Sequence, residues 1–124
     1  MGAKIQIQIG DDTFDAELND TEIAAEIENQ LPIQASGNFW GDEIYFSIPV
    51  DMDNESPQSE VDVGSLAYWP RGNGFCIFYG PTPASTGDKP RPASPVTVIG
   101  KTSADPDKLR NLTDIQNIEI TIKE

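Results

Sequence analysis

With no histidine among its 124 residues, this chain has to draw any chemistry from carboxylates, a few cations, aromatic rings and a single thiol. The missing imidazole removes a common zinc ligand, the neutral-pH general base, and the Ser-His and Cys-His nucleophilic pairs in their usual forms. Cys76 stands among Phe75, Ile77 and Phe78, which reads as a small buried hydrophobe rather than a reactive thiol, and a lone cysteine closes no internal disulfide. Asp42 and Glu43 are paired carboxylates of the kind that serve as acid and base, but neighbours on a strand point to opposite faces and form no dyad. Asp51-x-Asp53-x-Glu55 begins like a calcium loop. It lacks the glycine at the sixth position, Pro57 stands where a carbonyl ligand belongs, and Asp62 replaces the final glutamate, so a solvated acidic loop is the simpler reading. There is no phosphate-cradling glycine run, nucleotide fingerprint or metal-spaced cysteine set, and no metal or cofactor is expected.

The aromatic residues are more informative. Nine of the ten lie between Phe39 and Tyr79, and the stretch LAYWPRGNGFCIFYGPTP (66–83) holds five of them. Period-two alternation puts Leu66 and Tyr68 on one face and Ala67 and Trp69 on the other; it likewise separates Phe75, Ile77 and Tyr79 from Cys76 and Phe78. Rings therefore appear on both faces, and one barrel interior cannot take both sets. Either the second set packs under a helix or the proline-rich loop, or it lines an open groove. On the groove reading the ligand-binding residues are Tyr45, Trp69 and Phe78, which supply contact area, and Arg71, which anchors a carbonyl or carboxylate.

Short strands have to position these residues. Ile5, Ile7 and Ile9 alternate with polar neighbours, Gly10-Asp11-Asp12 is turn chemistry, and Phe14, Ala16 and Leu18 alternate again, which predicts a hairpin. Asn19, with Glu22 three positions on, has capping-box spacing; Ile23, Ile27 and Leu31 then give a helical stripe that Pro32 ends. In this helix Glu22, Glu26 and Glu28 read as a solvated face. A strand follows at 43–50, with Pro49 marking an edge or bulge, then an acidic loop at 51–62. Strands at 65–69 and 75–79 are joined by Pro70-Arg71-Gly72-Asn73-Gly74, a hairpin connection. Five prolines make 81–95 a stiff ordered connection; as a ligand for aromatic-grooved domains it is the less natural reading. A strand at 96–101, a short helix capped by Asp105 with Leu109 and Leu112 inward, and a closing strand through Ile118, Ile120 and Ile122 complete the chain.

The length fits one domain, 1–124, with a core that needs no staple. Alternating strands at both ends suggest that the termini pair. The expected fold is all-β, a closed antiparallel β-barrel of about eight strands with two capping helices; a β-sandwich is the alternative that strand count alone leaves open. A net charge of −13 repels nucleic acid, and no basic patch is visible. No apolar run is long enough to span a membrane and no signal-peptide core opens the chain, so a cytoplasmic location is expected.

Several motifs together resemble one family: Gly41-Asp42-Glu43-Ile44-Tyr45-Phe46, Ile48-Pro49-Val50, LAYWP, FCIFYGPTP, Pro90-Arg91-Pro92-Ala93-Ser94 and Val98-Ile99-Gly100-Lys101. They look like the small prokaryotic cyclophilin-like proteins over nearly the whole chain, which implies a helix-capped β-barrel in a family whose function is largely unassigned. Gly64-Ser65-Leu66-Ala67 followed by Phe75-Cys76-Ile77-Phe78 is also similar to the pocket hairpin of the peptidyl-prolyl isomerases. That similarity implies that Ala67, Tyr68 and Trp69 border the groove and that Phe78 floors a proline pocket. The isomerases' Phe-His-Arg element has no counterpart; the nearest stretch, 37–43, has no arginine to stabilise a twisted amide. The reading is a non-enzymatic domain that binds a small molecule or a proline-containing peptide, with a divergent prolyl isomerase as the alternative. A homodimer formed through the aromatic face is a further possibility.

Overall fold

Strict alternation builds the first hairpin. In the computed structural model, which describes residues 2–123, β1 (Lys4–Ile9) and β2 (Asp12–Leu18) pair antiparallel with Ile7 opposite Phe14. The turn passes through Gly10 at φ +59°, a conformation that favours glycine. All six apolar alternating residues of the hairpin, from Ile5 to Leu18, are buried.

Helix α1 (Glu22–Gln30) comes next and buries Ile23, Ala24 and Ile27 against the sheet. Its N-cap is Thr21, whose hydroxyl accepts from the Ala24 N–H at 3.1 Å. Asn19, the cap expected from spacing, instead accepts from the Thr21 N–H and hydroxyl and holds the turn before the helix. A second cap arrives from far along the chain. The Glu55 carboxylate accepts from the N–H groups of Glu22 and Ile23, both at 3.1 Å. This satisfies two of the helix's orphan donors and places negative charge at the positive end of its dipole. Part of the acidic loop is thus a strap over the helix start and not simply solvated.

The remaining elements are β3 (Ile33–Ala35), β4 (Asn38–Phe39), β5 (Glu43–Ser47), β6 (Ser65–Trp69), a 3-10 turn at Pro70–Gly72, β7 (Gly74–Phe78), β8 (Thr97–Thr102), α2 (Pro106–Arg110) and β9 (Ile118–Ile122). Among the described residues they join one sheet of nine strands in the order β3-β9-β1-β2-β8-β6-β7-β5-β4, with every ladder antiparallel. The terminal strands pair as expected, with Ile7 opposite Ile120. The two edges of the sheet, β3 and β4, are consecutive in the chain and separated only by Ser36 and Gly37. The sheet therefore curls strongly back on itself as a half-barrel, and among the described residues no ladder joins β3 to β4. One curled sheet takes the place of the two layers a sandwich would need. Asp105 caps α2 by accepting from the Asp107 N–H, and Leu109 is buried beneath it. Among the described residues no helix is long and apolar enough to cross a membrane.

The concave side of the sheet holds the main core, which includes Ile44, Phe46, Leu66, Tyr68, Phe75, Ile77 and Tyr79. Tyr68 is fully buried; its hydroxyl donates to the Val50 carbonyl at 2.6 Å and accepts from the Met52 N–H at 3.2 Å. Those bonds fix the entry of the 51–62 loop. Tyr68→Phe leaves both backbone groups without that partner, and we expect a loss of about 1.5 kcal/mol, read from urea unfolding. An unchanged midpoint would show that other groups take over the two bonds.

Candidate functional site

The other face of β5, β6 and β7 carries a second set of side chains. Alternation places Glu43 and Tyr45 of β5 on it, with Ala67 and Trp69 of β6 and Cys76 and Phe78 of β7; Tyr45 lies opposite Cys76, and Ala67 also pairs with Cys76. Ala67, Cys76 and Phe78 are buried with Val61 and Val96, and Tyr45, Trp69 and Val98 pack partly against them. The two ring sets thus divide between the faces as the alternation predicts. The cover on this side is the proline-rich segment.

That segment is held by its own polar groups. The Thr82 N–H and the Arg91 N–H both donate to the Ser85 hydroxyl, which donates to the Lys89 carbonyl at 2.9 Å. It is tied to the 51–62 loop by the Val61 N–H to the Pro90 carbonyl and by a two-way bridge between Gln58 and Val96. At the β4–β5 turn, Gly41 at φ +59° leaves room for the loop; a Cβ there would stand 2.8 Å from Pro83 Cδ and from Thr82 Cα. Trp69 closes the other side, its indole N–H donating to the Ser94 hydroxyl at 2.6 Å.

Between sheet and loop remains a pocket of about 190 Å³ lined by Trp40, Glu43, Tyr45, Trp69, Cys76, Pro92, Ala93 and Val96. Tyr45 and Trp69 meet edge-on with ring centroids 6.3 Å apart. Trp40 enters from the tight β4–β5 turn, where its N–H donates to the Glu43 carbonyl at 2.9 Å and its carbonyl accepts from the Glu43 N–H at 3.2 Å. Among the described residues Glu43 is the one charged group in this lining, and it is only 5% exposed. Burial lifts its carboxyl from 4.5 to about 7, against a smaller opposing pull from its hydrogen bond with the Cys76 thiol. Burial likewise pushes the Cys76 thiol up, helped by the neighbouring Glu43, so the sulfur stays protonated and unreactive. Asp42 is directed away and meets the Arg110 guanidinium at 3.0 Å.

Of the residues singled out from sequence, Tyr45 and Trp69 are both half-buried and stand together in the pocket wall. Phe78 is fully buried in the cluster behind it and does not reach the lining. Arg71 is exposed on the 3-10 turn and is also outside the lining. Sequence alone marks Glu43 only as a carboxylate beside Asp42 and gives Trp40 and the Pro92-Ala93 wall no part in a site. Glu43 carried a signal: an acidic residue in phase with Tyr45 on a strand whose partner residues are apolar. Among the described residues no cluster of three or more acidic or cysteine side chains is arranged to hold a metal.

A family model described as "Cyclophilin-like" matches residues 3–121. Among solved structures, the solution structure of the hypothetical protein AF2241 from Archaeoglobus fulgidus superposes with a TM-score of 0.80 at 32% identity, covering 98% of this chain and 95% of that one. The structure of McbB in complex with tryptophan superposes with a TM-score of 0.68 at 16% identity, covering 96% of this chain and 44% of that one. No curated protein matches the sequence.

Proposed function

The chain belongs to the cyclophilin-like family, and from that premise we propose that it binds a small molecule in the pocket walled by Trp40, Tyr45 and Trp69, without turning it over. The observation that carries this reading is the pocket's make-up: aromatic and apolar walls converging on a single buried polar side chain, the usual design of a small-molecule site. Its volume of about 190 Å³ lies below the common range of roughly 300–1,000 Å³. That size suits a small guest better than an extended peptide. Binding without turnover is favoured over prolyl isomerisation because no arginine is among the lining residues to stabilise a twisted amide. Phe78 supports the wall from behind, and Arg71 is kept in this reading as an outer handle for a longer ligand's carbonyl or carboxylate.

The test is a thermal-shift screen with small aromatic and heterocyclic compounds, an indole first since a protein of the same fold is solved with tryptophan. Hits should raise the melting temperature of the parent and fail to do so in Trp69→Ala, with affinity lower by about tenfold or more. Tyr45→Ala should weaken the same hits. Shifts that survive in both variants would place the guest elsewhere and end this reading of the pocket.

A further inference from the structure

Resting on that reading, we propose that the pocket's guest is a small organic cation, its ammonium nitrogen lodged between Trp40, Tyr45 and Trp69 with the Glu43 carboxylate as counter-charge. A carboxyl this deeply buried is normally paired with a cation. Among the described residues the ion pairs involve Asp12, Asp15, Asp42, Asp62 and Asp107, and none reaches Glu43. Its hydrogen-bond partner is the Cys76 thiol, a weak donor. The site therefore has a negative group without its positive complement, in walls whose ring faces attract cations. Trp and Tyr are the better cation–π partners, and the lining supplies two of the first and one of the second. A net charge of −13 draws cations toward the molecule and turns anions away.

Proton linkage gives the proposal a second handle. A bound cation favours the ionised carboxylate, so affinity should fall as Glu43 takes up its proton. The other titratable groups around it are the Cys76 thiol on β7, the Tyr79 phenol just beyond β7, and the Tyr45 phenol on its own strand; Asp42 next to it is engaged by Arg110. Burial pushes Cys76 well up and Tyr79 to about 12, so both keep their protons through neutral pH.

The experiment is isothermal titration of the full chain with three probes that share a phenyl ring and a two-carbon arm: phenethylamine, phenethyl alcohol and 3-phenylpropionate. At about pH 8, where Glu43 is mostly ionised, the amine should bind about tenfold or more tighter than the alcohol, with the acid weakest. The amine's advantage should shrink severalfold at about pH 5.5, where Glu43 is protonated. Glu43→Gln should erase the amine's advantage over the alcohol at both pH values. If the alcohol or the acid binds as well as the amine, or if the preference persists in Glu43→Gln, the cation proposal is overturned while the pocket reading stands. Should none of the three bind, the proposal falls with them, and the pocket reading is then decided by the Trp69→Ala screen alone.

Discussion

Glu43→Gln is expected to be more stable than the parent protein by about 3 kcal/mol above neutral pH, and nearly equal to it at about pH 4. The reason is the environment of one carboxyl. Burial lifts Glu43 from 4.5 to about 7, so the folded state holds that proton more tightly than the unfolded chain does. Stability contributed by the protonated group is complete below the unfolded value, declines as pH climbs between the two values, and levels off above the upper one. At about 1.4 kcal/mol per pH unit over that interval, the loss approaches the figure given. An amide cannot ionise, keeps the shape, and still offers an oxygen to the Cys76 thiol, so the variant should show no such decline. Urea unfolding across the pH range checks this, since every other acidic group contributes alike to both proteins. Parallel profiles would mean that Glu43 does not sit in the desolvated state described. The same substitution is expected to cost the amine preference. A residue that weakens the fold at neutral pH is more readily explained by what it binds than by what it holds together.

Ile5, Ile7 and Ile9 declare their strand because period two is strict and each faces the core. The division of rings between faces is legible for the same reason: Tyr68 and Phe75 are on the concave side, Trp69 and Phe78 on the other. Strands β3 and β4 were not legible, being three and two residues long, too short for alternation to register, and they are ordered by their ladders to β9 and β5. The pocket was half visible. Tyr45 and Trp69 came from periodicity, but Pro92 and Ala93 reach the site through a loop whose path depends on the Ser85, Ser94 and Gln58 contacts. No local pattern encodes those. Glu55 is equally hidden from local patterns, since its role as a helix cap joins residues more than thirty positions apart. Arg71 offers a charge two residues from Trp69, but the turn carries it into solvent.

Phe46→Ala should cost about 3–5 kcal/mol and lower the melting temperature by roughly 10–20 °C, yet leave pocket affinity within about twofold when binding is measured below that temperature. Phe46 is 1% exposed and stacks on Phe75, its cross-strand partner, with centroids 5.2 Å apart and planes 16° from parallel. Truncation removes both that stacking and the transfer energy of a large ring, and it leaves a void between strands that ladders on either side prevent from closing. The pocket should not feel it. Along β5 the side chains alternate, so Phe46 belongs to the main core while Glu43 and Tyr45 face the proline-rich cover. Circular dichroism melts give the first quantity and titration of a pocket ligand the second. A folded Phe46→Ala that had lost binding would show that the two sides of the sheet are coupled through β5, and the separation of a stabilising core from a binding face would have to be given up. Retained binding beside a large stability loss is the result that this division requires, because a strand packed on both faces can be weakened from one side while its backbone ladder still holds the other in place.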